Sequence, residues 1–288
     1  MATNPTVPED KWLTVNGLRV HYLDWGGDWS KRPLYLLHGL GGHAHAFDKF
    51  APLWAETHHV IAIDERGCGD SDWSREGYSV QAFAADVGEF ALKTGLYPFD
   101  YYGHSQGSRI GMVVGAYYGH LVSHLVLGDY GPERDPSPAG RATAQQRMEG
   151  RAARPKGFFS PQQAFDWHRQ QDEKLSDEDI WHTVKYTYRR NWDGILVPKT
   201  DPEINWLTGR TALKEGPFLW ECVSRVSCKT LVLRGGVSTV LDKAQAQKMA
   251  ALIPNGKGAT REVPGAGHGL QNENMEGAFR ILREFFET

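Results

Sequence analysis

The chain has 288 residues, 40% hydrophobic and 23% charged, which suits one large domain or one domain carrying an insertion. A formal net charge of -3 offers no basic footprint for nucleic acid, and no run approaches the roughly 20 apolar residues that span a bilayer. The three widely spaced cysteines form no metal-ligand pattern, and the first ten residues have neither a basic nor an apolar signal segment, so a cytoplasmic protein with reduced thiols is expected.

Residues 12–25 read as a hairpin of two alternating runs about Asn16-Gly17. Residues 33–37 form a short, nearly continuous apolar strand, of the kind buried on both faces, and run into His38-Gly39-Leu40-Gly41-Gly42. Helical spacing over 46–55 precedes a second buried strand at 59–63, which ends in the loop from Asp64 to Ser71. A helix over 80–92 leads to a strand near 99–102, the pentapeptide Gly103-His104-Ser105-Gln106-Gly107, and a helix starting at Ser108. The next strand covers 121–129.

Strand–helix alternation then stops. From Pro132 to about Pro217 the chain is polar, helix-prone and rich in aromatics and arginine. Alternation resumes with a strand at 230–236, a helix at 243–252, a strand at 259–264 and a helix at 275–286. Alternating βα units predict a mostly parallel sheet with helices on both faces. The division expected is a core of 1–132 and 218–288, with 133–217 a helical cap above the carboxyl ends of the strands, where ligands bind in such folds.

Gly-x-Ser-x-Gly is a weak signal by itself. Between a strand and a helix it reads as a nucleophile elbow, a strained turn that exposes the serine hydroxyl. A serine is a poor nucleophile until a base takes its proton, and His268, in the glycine-rich loop past the last strand, is the candidate base.

With these motifs the chain resembles the α/β-hydrolase fold family over nearly its whole length. The matching stretches are His38 to Gly42 after strand three, Asp64-x-Arg66-Gly67-x-Gly69-x-Ser71 after strand four, and the elbow at Ser105. Leu231 to Gly236 at strand seven and Gly265-Ala266-Gly267-His268 after strand eight complete the set. The resemblance implies a serine-nucleophile, lid-bearing enzyme of the esterase or lactonase type, with the cap inserted after strand six. Backbone N–H groups of Gln106 and Leu40 would form the oxyanion hole. The Asp64 loop is read as structural, and Ser105 argues against epoxide hydrolases and dehalogenases, which place an aspartate at the elbow.

One position departs from the pattern. Many relatives carry the triad acid just past the Gly-Gly after strand seven, where Thr239 stands here. Asp129, at the end of strand six, is the favoured replacement; Asp242, which also suits a helix cap, and a Ser–His pair without an acid remain open.

The insertion's aromatics, Trp206 among them, suit a lid over an apolar pocket, although packing explains most of them. Tyr188, Arg190 and Trp192 are the candidate substrate-binding residues. No cofactor is expected, and no metal, since His43 and His45 lack a third ligand at a useful spacing. The expected partner is a small, partly aromatic or apolar substrate, bound by a monomer or homo-oligomer. The predicted function is hydrolysis of a carboxylic ester or lactone, with an amide or carbon–carbon bond open to the same parts. Two other classes are compatible: a cofactor-free dioxygenase using the His–Asp pair as base, and a slow-turnover small-molecule receptor.

Overall fold

A computed structural model describes residues 7–27, 30–204 and 214–288. Its centre is an eight-stranded sheet. The strands are β1 (Glu9–Val15), β2 (Leu18–Asp24), β3 (Pro33–Leu37), β4 (His59–Ile63), β5 (Phe99–His104), β6 (Val122–Gly128), β9 (Lys229–Gly235) and β10 (Gly258–Val263), in the order β1-β2-β4-β3-β5-β6-β9-β10. β1 and β2 pair antiparallel about Asn16 and Gly17, both at positive φ, and β2 runs antiparallel to β4; every other pair is parallel. This is the α/β-hydrolase fold that the motifs predict. β3 and β4 are buried at every position because helices cover both faces of the sheet.

The flanking helices are α1 (Val80–Thr94), α2 (Gln106–Tyr117), α6 (Gly216–Arg225), α7 (Lys243–Leu252), the single turn α8 (Leu270–Glu273) and α9 (Met275–Phe286). α1 starts on Ser79, whose side chain accepts the Ala82 N–H, and stops at Gly95 in the left-handed conformation. One core cluster lies on the α1, α2 and α6 face; the other, around Trp54, Phe47 and Phe286, lies beneath α9. The helix expected at 46–55 is instead two 3₁₀ turns, Ala44–Phe47 and Ala51–Trp54. Pro52 supplies no N–H to continue an α-helical ladder, and the Ala44 N–H is drawn to Asp64 Oδ1 at 2.6 Å.

The segment after β6 folds into α3 (Pro138–Ala152), α4 (Pro161–Gln171), α5 (Asp177–Thr187) and a small hairpin of β7 (Tyr188–Arg190) and β8 (Leu196–Pro198). Its apolar residues pack on one another: Phe158, Ala164, Ile180, Val184, Tyr188 and Leu196 form a third cluster, flanked by Phe165 and Trp167. Trp206 lies outside the described residues. Among the described residues, no helix is long and apolar enough to cross a membrane.

The loop after β4 ties these parts together. Buried Asp64 accepts from the Ala44 N–H at 2.6 Å and the Asp70 N–H at 2.8 Å, and lies 2.6 Å from His21 Nδ1. Arg66 grips Asp86 of α1 through Nε and Nη2, both at 2.6 Å. Burial alone would raise the Asp64 pKa, but the hydrogen bond and charge of His21, with smaller help from His38 and the Asp70 N–H, hold it at about 2. A carboxylate with a depressed folded pKa stabilises the fold above the ordinary carboxylate value of 3.8 and loses that contribution as pH falls towards 2. We predict that Asp64→Asn costs roughly 2 kcal/mol at neutral pH and flattens the decline in stability between about pH 4 and pH 2. Urea midpoints measured across that range check it, and parallel curves for variant and wild type would remove Asp64 from the acid limb.

Candidate active site

Close packing of backbone shapes the elbow between β5 and α2. A Cβ on Gly103 would sit 2.3 Å from the Gly107 carbonyl oxygen, and one on Gly107 would sit 2.6 Å from that of Leu37. Only glycine fits at either position. Ser105, between them, has φ 56° and ψ -105°, a conformation that costs an L-residue about 1–3 kcal/mol and is held by its surroundings. Its N–H donates to the Gly128 carbonyl at 2.8 Å, and its own carbonyl accepts from the Ser108 and Arg109 N–H groups. Ser105 therefore stands at the N-terminus of α2, beside the end of β6.

β6 leads directly into Asp129, which is fully buried with φ 49°. Its N–H donates to the Leu233 carbonyl at 2.7 Å. Oδ1 accepts from the Gly235 N–H at 2.9 Å; Oδ2 accepts from Ser238 Oγ at 2.6 Å and lies 2.8 Å from His268 Nδ1. A carboxylate on Nδ1 leaves Nε2 as the base nitrogen of a neutral ring. The structure thus brings Asp129 and His268 together, while Asp242 is occupied elsewhere: it caps α7 by accepting the Gln245 N–H at 2.9 Å. Among the described residues, Ser105 Oγ makes no hydrogen bond to His268, a gap that sites of this kind often close only around substrate.

The turn after β3 faces the serine: a Cβ on Gly39 would lie 3.3 Å from Ser105 Cβ. His38 shapes this turn. Its Nδ1 lies 2.8 Å from the Gly39 carbonyl and its Nε2 accepts from the Glu65 N–H at 3.2 Å, so Nδ1 carries the proton. Burial lowers its pKa, which keeps the ring neutral. Among the described residues, the backbone N–H groups of Leu40 and Gln106 find no protein acceptor.

The three residues expected to bind substrate lie in different settings. Tyr188 belongs to the lid's own core, with its hydroxyl 2.9 Å from His168 Nε2. Arg190 is exposed and donates to the Gly194 carbonyl at 2.6 Å. Trp192 is fully exposed. A dense aromatic count reads alike for a pocket lining and for a lid interior; only packing separates them. His43 and His45 are likewise partnered, His43 Nε2 with Thr187 Oγ1 at 3.3 Å and His45 Nδ1 with Asp48 at 3.0 Å.

Two further residues touch the histidine and the aspartate. His104, inside the pentapeptide, donates from Nε2 to the His268 carbonyl at 2.7 Å; burial, then the charge of His268, lowers its pKa to about 3, so it stays neutral beside that ring. Ser238, the residue before Thr239, supplies a hydroxyl to Asp129. Thr239 itself lies 2.9 Å, oxygen to oxygen, from Thr143 of α3. The only hint of either role was adjacency to a motif already in view.

Comparison with known proteins agrees with this architecture. The family profile described as "alpha/beta hydrolase fold" matches residues 32–274. A 3-hydroxybutyrate-oligomer hydrolase of Cupriavidus necator is 25% identical over 276 residues, 93% of each chain. An N-formylmaleamate deformylase of Pseudomonas putida is 31% identical over 131 residues, 44% of this chain and 48% of that protein. The solved structure of an E-2-(acetamidomethylene)succinate hydrolase superposes with a TM-score of 0.83 at 21% identity, covering 98% of this chain and 100% of that one, a likeness of fold. The profile match spans most of the chain and contains the elbow, the Asp129–His268 pair and the turn after β3: this protein belongs to the alpha/beta hydrolase fold family.

Proposed function

We propose that the protein is a cofactor-independent serine hydrolase that cleaves a carboxylic ester or lactone through an acyl-enzyme. The observation that carries this reading is a strained Ser105 at the turn between β5 and α2, together with a histidine whose Nδ1 lies 2.8 Å from a buried carboxylate. Ser105 Oγ attacks the carbonyl carbon while His268 Nε2 takes its proton and then returns it to the leaving oxygen. Asp129 fixes the tautomer and stabilises the imidazolium. The unpaired N–H groups of Gln106 and Leu40 are preorganised for the oxyanion, and the positive end of α2 adds to them. Water, activated by the same histidine, releases the acid. An amide would pass through the same steps. The oligomer hydrolase and the deformylase, relatives whose names describe hydrolytic reactions, support a hydrolase over a receptor.

Intact-mass spectrometry after exposure to a fluorophosphonate tests the nucleophile. One adduct is expected on wild type and none on Ser105→Ala; an unmodified, folded wild type would sink the reading. With an aryl ester as substrate, Ser105→Ala and His268→Ala should each lower kcat at least about 10³-fold. Asp129→Asn should lower it by about 10⁴, because the amide favours the wrong tautomer of His268. Asp242→Asn, which touches only the α7 cap, should change kcat less than about threefold; equal losses in the two variants would overturn Asp129 as the acid.

A further inference from the structure

Helix α3 of the lid reaches the loop after β9 through the contact of Thr143 with Thr239, 2.9 Å between hydroxyl oxygens. Four residues on, and therefore on the same face of the helix, stands Arg147. It is half-buried and lies within electrostatic reach of Asp129, Tyr130 and Glu273, and of His104 beneath them. Of these, Asp129 bonds His268, Glu273 holds its loop and His104 donates to its carbonyl, so the guanidinium shares the neighbourhood of the proposed base.

Neither nearby carboxylate has a lone pair committed to it. Asp129 is engaged by Gly235, Ser238 and His268. Glu273 accepts the Gly267 N–H on Oε2 at 2.6 Å and the Gly269 N–H on Oε1 at 2.8 Å, bonds that hold the His268 loop. Among the described residues, no hydrogen bond or ion pair engages the Arg147 guanidinium. Three neighbouring arginines of the same segment do have partners: Arg169 pairs with Asp177, Arg190 donates to the Gly194 carbonyl, and Arg189 lies over the Trp73 ring. Partial withdrawal from water without an acceptor is costly for five N–H donors, and burial accordingly pulls the Arg147 pKa down, against the charges of Asp129, Tyr130 and Glu273. The planar fork matches a carboxylate through two parallel hydrogen bonds.

We propose that Arg147 forms an anion subsite of the Ser105 site, and that the substrate carries a carboxylate that seats on its guanidinium while the scissile carbonyl meets the serine. The position of the carbonyl rests on the serine-hydrolase reading; the anion subsite rests on α3 alone.

Two matched pairs of esters test it, with the carboxylate on either side of the scissile bond: mono-4-nitrophenyl glutarate against its methyl ester, and 4-acetoxybenzoate against methyl 4-acetoxybenzoate. In at least one pair wild type should prefer the anion, and Arg147→Gln should lower the anion-to-neutral ratio of kcat/KM by about 30-fold, with partial recovery in Arg147→Lys. A wild-type ratio near one in both pairs, or a ratio that Arg147→Gln leaves within about threefold, overturns the proposal while the hydrolase reading stands. Calorimetry with 4-acetoxybenzoate and with mono-4-nitrophenyl glutarate on Ser105→Ala, with and without Arg147→Gln, reads the subsite without turnover. Binding of either that is lost in the double variant upholds the subsite even if the serine proves unreactive, and binding of neither, or equal binding in both proteins, overturns it. Circular dichroism spectra that superpose across the variants separate loss of the subsite from loss of fold.

Discussion

The structure depends on a carboxylate that water cannot reach. Asp129 is fully buried, and a charge there is tolerable only when its oxygens are engaged by donors. The Gly235 N–H, Ser238 Oγ and His268 Nδ1 meet that need from three separate stretches of chain. The strand order β6-β9-β10 makes this possible, because it sets the ends of these strands side by side. Close approach of backbone completes the junction: a Cβ on Gly235 would lie 1.9 Å from the Gly267 carbonyl oxygen. The demand of one buried charge therefore places the histidine, and with it the proposed chemistry.

Asp64 does for the turn after β3 what Asp129 does for the histidine loop. It anchors Ala44 and the Asp64–Ser71 loop from a buried position, while His38, locked in one tautomer, braces the turn that carries Leu40. The Leu40 N–H, one of the two proposed for the oxyanion, thus sits in a braced turn, as electrostatic preorganisation requires.

The segment after β6 has a small apolar cluster of its own and also meets the core through polar contacts. His182 reaches Asp48 at 2.8 Å, Thr200 donates to the Gly41 carbonyl at 3.2 Å, and the Asp201 N–H donates to that of Gly67 at 2.8 Å. Two of these fall on the motif loops after β3 and β4. Thr239 makes a further polar contact. Its hydroxyl lies 2.9 Å from that of Thr143, which ties α3 to the loop after β9.

Much of this was legible in the chain itself. Strand–helix alternation, the Asn16-Gly17 hairpin and the spacing of five glycine-bearing motifs determine the fold, because each is a local requirement: a period, a positive φ, a turn with no room for a Cβ. Ser105 and His268 could be singled out for the same reason, and Thr239 marked the one position where the pattern breaks, leaving Asp129, Asp242 or no acid at all. What only the tertiary structure decided is which groups share a donor. Asp129 and Asp242 are both aspartates next to turns; one reaches His268 across 139 residues of chain and the other caps its own helix. The aromatic richness of the segment after β6 is a composition, and composition does not say that Tyr188 packs inside it while Trp192 stands in solvent. Burial and hydrogen-bond saturation are properties of the packed molecule, and they decide which residues remain free to meet a substrate.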